Sequence, residues 1–87
     1  MTRILPLAAK AALAVGSGNA TTVDKATVVR VLSNAGAAVV VRTDSSGTII
    51  GSFTSVSGTA DLVEKNASDK IYVTGNAVQV SKVGFTN

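Results

Sequence analysis

The sequence predicts an all-β domain: a small antiparallel β-sandwich or barrel of about seven short strands, preceded by an extended N-terminal arm. Three observations carry this. Val and Thr are abundant, and their branched Cβ atoms suit a pleated surface better than a helix. Turn residues punctuate the chain every eight to twelve residues or so, the spacing of sandwiches and small barrels. Aromatics make up only 3% of a chain that is 46% hydrophobic, so its layers must be thin and filled by Val, Ile, Leu and Ala.

The first fifteen residues admit three readings. Arg3 followed by a largely apolar run resembles a signal peptide, but Pro6 and Lys10 interrupt the run. The alanine content favours a helix, yet Ile4, Leu5, Leu7, Leu13 and Val15 scatter around a helical wheel. At period two, Leu5, Leu7, Ala9, Ala11, Leu13 and Val15 share one face, with Lys10 on the other. This sorting favours extended backbone. Pro6 has no N–H, which places such a strand at an edge or makes it an arm. No run approaches the ~18 apolar residues of a membrane span. Gly16-Ser17-Gly18-Asn19 is then a flexible joint. It lacks the full glycine pattern of a phosphate loop, and strand-like sequence follows it, not a helix.

Seven strands follow. They are predicted over residues 20–23, 27–33, 37–43, 48–54, 59–65, 70–74 and 77–85. Between them lie Asn34-Ala35-Gly36, the Asp-first, Gly-last turn Asp44-Ser45-Ser46-Gly47, Ser57-Gly58, residues 66–69, and Gly75-Asn76. In the last strand Val78 and Val80 share one face while Val83 and Phe85 share the other. A bulge near residues 81–84 would bring all four to one core; otherwise the second half faces a different layer. The expected core is Val29, Val31, Val39, Val41, Ile49, Phe53, Leu62, Ile71, Val73, Val78, Val80 and Phe85, with Arg30 and Arg42 outward. The chain divides into an arm with its joint over residues 1–19 and a sandwich domain over residues 20–87.

The residue inventory narrows the chemistry. With no Cys and no His, Ser–His and Cys–His nucleophilic systems and Cys/His zinc sites have no ligands or bases to use. No catalytic residues, metal or cofactor are therefore expected. Asp61 and Glu64, three apart on a strand, point to opposite faces. Asp61 with Asp69 across a turn is the one acid pair to consider, against the plainer reading of solvated turn carboxylates. Asp44 and its turn could offer oxygens to calcium but lack the carboxylate count of a calcium loop. The net charge of +3 is dispersed along the chain, without the basic cluster or stacking aromatics of a nucleic-acid binder.

Binding to other proteins is what remains. A domain of 87 residues buries only about two-thirds of its unfolded surface, and without disulfides or metal its remedy is association. An extended segment can add a strand to a neighbour's sheet edge. The partner-binding candidates are Leu5, Leu7, Leu13 and Val15 on the N-terminal face, and Tyr72, the lone phenol.

Five stretches carry a family resemblance: ILPLAAKAALAVGSGNATTV, VVRVLSNAG before a Val-rich strand, TDSSGTIIGSFT, DLVEKNASDKIYV, and the closing VQVSKVGFTN. Over nearly the whole chain they resemble small β-rich structural proteins of tailed bacteriophages, of the cyanophage type. The resemblance implies a virion protein made in the host cytoplasm. It would be a decoration (cement) protein on the capsid exterior, binding the major capsid protein and stabilising the head, with a neck or tail component as the nearest rival. It implies a dimer or trimer; the dispersed charge and the lack of a long apolar run, noted above, leave no nucleic-acid or membrane partner expected. A secreted adhesin or pilus-like subunit is the alternative outside this group.

Overall fold

The structure, a computed structural model, describes the backbone of residues 3–86 and the side chains of residues 4–84. The chain is all-β. Its strands are β1 (Arg3–Pro6), β2 (Ala11–Leu13), β3 (Val28–Ser33), β4 (Ala38–Thr43), β5 (Ile49–Ser55), β6 (Thr59–Glu64), β7 (Lys70–Thr74) and β8 (Val78–Thr86), with a single 3₁₀ turn at Ser17–Asn19. They form two antiparallel sheets packed as a sandwich. One has the order β1-β8-β3-β6 with β2 also alongside β8; the other has the order β5-β4-β7.

Period-two patterning makes the core. On β3, Val29, Val31 and Ser33 are buried while Val28, Arg30 and Leu32 are half-buried. Val29 and Val31 meet Val78 and Val80 of β8, Ala38 and Val40 of β4, and Ile71 and Val73 of β7 in one cluster, joined by Leu13 and Ala26. Gly36, in the turn between β3 and β4, has φ +140°, and a Cβ there would stand 2.6 Å from Nδ2 of Asn76. That amide instead donates to the Ala37 carbonyl (2.8 Å), tying this turn to the β7–β8 turn.

The N-terminal segment is extended, and it lies against its own domain. β1 pairs with β8, with Ile4 opposite Phe85 and Pro6 opposite Val83. The Leu7 N–H continues that register to the Lys82 carbonyl (2.9 Å). β2 then sets Ala11 opposite Val80 and Leu13 opposite Val78. Residues 8–10 therefore stand where β8 supplies Ser81 alone, and this excess bulges outward with Lys10 exposed. After β2 the chain crosses to the other sheet. Val15 forms a parallel bridge to Val73, and Thr21 an antiparallel bridge to Ile71. One stretch of chain thus stitches both sheets together along one side.

Several sequence expectations change. Residues 20–23 do not form a strand: after the Thr21 bridge, Val23, Asp24 and Lys25 take φ of +53°, +56° and +56°. This left-handed turn costs roughly 1–2 kcal/mol per residue. Thr21 and Thr22 hydroxyls accept the N–H groups of Val23 and Lys25. The fully buried Ala26 and the inward-leaning Val23 add packing. The bulge expected in β8 is absent from that strand, which pairs in unbroken register over residues 79–82 with β3 and over 83–86 with β1. Val83 is buried outside the main cluster, so the end of β8 does serve a different layer.

Four expected core residues are exposed: Val39, Ile49, Phe53 and Leu62. In β4 the phase is the reverse of the expected one. Val40 enters the core, Val39 faces out, and Val41 is buried on the outer face of the sheet. Arg42, expected outward, shares the inner face with Val40 and lies opposite Ile71. Phe85 lies outside the described side chains.

Candidate functional site

Among the described residues the ionic groups form one partly buried cluster, at the end of the sandwich. The Arg42 guanidinium donates from Nε (3.0 Å) and sits 2.9 Å through Nη2 from Oδ2 of Asp69. The same oxygen accepts the Asn66 N–H at 3.1 Å. Lys65 is buried beside them and donates to the Asn66 carbonyl (3.2 Å). Burial holds the Lys65 ammonium below its ordinary pKa; Asp69 pulls it up and Arg42 pushes it down further. Two cations here share one buried carboxylate, whose Oδ2 takes all three of the contacts from Arg42 and Asn66. The cluster closes the β6–β7 turn against β4. Asp61 is elsewhere, accepting from the Ser55 hydroxyl at 3.0 Å. The Asp61–Asp69 pair is therefore split between separate partners.

Asp44 behaves as a turn residue. Its Oδ1 accepts the Ser46 N–H (2.9 Å), the Ser46 hydroxyl (2.7 Å) and the Thr48 N–H (3.0 Å). An oxygen saturated by donors is not poised for a cation. Among the described residues no group of three or more acids could hold a metal.

Apolar surface is the other feature, and it lies on two sides. On the N-terminal side Ile4, Leu5 and Leu7 are 45%, 45% and 52% exposed. The β1–β8 ladder fixes their backbone, and the Leu7 side chain leans over Gly84. On the opposite side β5 and β6 are the free edges of the two sheets. Ile49, Ile50, Phe53 and Val56 in and after β5, and Leu62 of β6, are exposed there. Between these edges runs a groove of about 240 Å³ floored by Val40 and Val63, with Arg42 and Glu64 at its polar end.

The structure divides the partner-binding candidates. Leu5, Leu7 and Val15 are exposed, whereas Leu13 is buried in the core opposite Val78 and has no surface to offer. Tyr72 is half-buried on the outer face of β7, beside Val41, and stands apart from the leucines of β1. The β5 edge was hidden from sequence reasoning because Ile49 and Phe53 read as core. The signal available was the absence of any charge between Asp44 and Asp61. Comparison with protein-family models, with curated proteins and with solved structures returns no match.

Proposed function

We propose that the chain is a structural protein of a bacteriophage particle, a decoration protein that binds the major capsid protein on the outside of the head and stabilises it. The observation that carries the binding mode is the exposed pair Leu5 and Leu7, which share one face of the N-terminal edge, with the exposed Ile4 on the other face. Apolar side chains displayed together on fixed backbone mark a protein contact more often than chance exposure does. Many copies of a modest contact on a repeating lattice add up to firm attachment. The resemblance of the sequence to tailed-phage structural proteins supplies the particle, and the inventory without His or Cys suits a role without chemistry.

Two measurements test this. Quantification in purified particles should give a copy number that tracks the capsid protein; about a dozen or fewer, the size of a single ring, assigns the chain to neck or tail instead. The double variant Leu5→Glu, Leu7→Glu should keep its circular dichroism and melting transition yet fail to sediment with heads. Unchanged co-sedimentation would remove the N-terminal edge as the attachment surface.

A further inference from the structure

The two sheets have four outer edges, and three are guarded. The β1–β2 edge carries Pro6 and a bulge bearing Lys10. The edge of β7 is covered by the bridges of Val15 and Thr21. The β6 edge displays the exposed Glu64, with the half-buried Asp61 on the same strand. Prolines, bulges, covering segments and charges are the usual means of keeping sheet edges from pairing. β5 has no proline, charge or covering segment, and its one bulge, at Ile50 opposite the Arg42–Thr43 step, lies near the start of the strand. Residues 45–60 form the longest uncharged run of the chain and contain no proline. β5 is also the longest of the edge strands, and every residue in it except Ser55 is exposed.

We propose that β5 is the pairing edge for a second copy of this chain, joined antiparallel across a two-fold axis through Ser52. This surface is distinct from the N-terminal edge assigned above to the capsid. The sequence of β5 is self-complementary about Ser52. Gly51 and Phe53 lie opposite Arg42 and Val40, on the face turned toward the other sheet; Ser52 lies opposite Val41, on the outer face. A two-fold axis normal to the sheet preserves faces. It sets Ser52 against Ser52 and Gly51 against Phe53 of the other copy, and the bulged Ile50 falls at the end of this pairing. Nothing lies within 4 Å of where a Cβ of Gly51 would stand, so the incoming ring has open space over that glycine. An aromatic laid across a strand from an edge glycine is a favourable pair. Centring on Gly51 would instead face two glycines and leave a gap.

Charge also selects a second copy over a charged foreign strand. A neutral edge gives a charged partner strand no complement. Paired with itself it brings no like charges face to face, although the chain as a whole carries +3. The pairing would also roof the groove over Val40 and Val63 with two phenyl rings.

The test uses the purified chain alone, so its result does not depend on the capsid reading. Since the chain has no cysteine, a disulfide formed by Ser52→Cys reports only on residue 52 of two copies. Directly opposed residues stand about 4.5–5.5 Å apart at Cα, within disulfide reach. Under mild oxidation Ser52→Cys should convert to covalent dimer. Thr54→Cys, whose copies are displaced along the strands, should stay largely monomeric. Sedimentation of the wild type should show a concentration-dependent dimer that Ser52→Lys dissociates, with circular dichroism unchanged in all variants. A wild type that stays monomeric at hundreds of micromolar overturns the pairing. Equal crosslinking at residues 52 and 54 overturns the register.

Discussion

Asp44 shows how far a single residue was legible. The Asp-first, Gly-last tetrad announced a tight turn, and the structure closes it with three hydrogen bonds to one carboxylate oxygen. These bonds hold the Asp44 pKa below its ordinary value, the Ser46 hydroxyl contributing most. The folded state therefore binds this proton less readily than the unfolded state. Asp44's contribution to stability is complete above the ordinary carboxylate range, near pH 4, and is lost as pH falls through the depressed folded value. Asp44→Ala should lower the melting temperature at neutral pH. The gap from wild type should close in strong acid; a gap that persists there would mean the turn is stabilised by something other than the ionised carboxylate. Arg42 was less legible. A charge on a strand reads as an outward position, but this one is at the end of the sheet. Its aliphatic stem can line the core there while the guanidinium reaches Asp69.

At the scale of elements, six of the seven strands predicted after the joint are present, with ends shifted by at most one residue. Alternation on β3 and the glycine-marked turns sufficed for them. The phase of β4 was not legible, because three consecutive valines fit either one. The choice was made by partners distant in sequence, Phe53 and Val73 opposite Val40. Residues 20–25 failed for another reason: Thr-Thr-Val has strand propensity, and nothing local announces a left-handed turn built on two threonine hydroxyls. The N-terminal segment was read correctly as extended, yet its six same-face residues divide. Leu7 lies before the bulge and is exposed, while Leu13 lies after it and is 4% exposed within the core. Leu13→Ala should therefore cost about 2–5 kcal/mol, the range for a truncated buried leucine. Leu7→Ala should fall within about 0.5 kcal/mol of wild type. Urea denaturation with unchanged m-values measures both, and equal costs would contradict the split.

Across the whole molecule the two sides of the sandwich are unequal. On one side the chain from β1 to Thr21 runs along β8, crosses, and runs along β7, so it bonds to both sheets. On the other side the sheets are joined by the turn after β5 and by the Ser55–Asp61 hydrogen bond, and both edges remain free. A segment that contributes a core leucine and closes two sheet edges cannot leave without opening the core. The N-terminal strand thus belongs to the global folding unit, and it presents its exposed side chains and outer edge to a partner without detaching. Native-state hydrogen exchange separates this from a detachable arm. Amides of β2 bonded to β8 should exchange with the same free energy as those at the centres of β3 and β8. The outward amides of β5 should exchange rapidly at low protein concentration. Exchange of β2 at a markedly lower free energy than β3 would show an arm that unzips while the domain stays folded, and attachment would then proceed by strand exchange and not by docking of a rigid apolar edge.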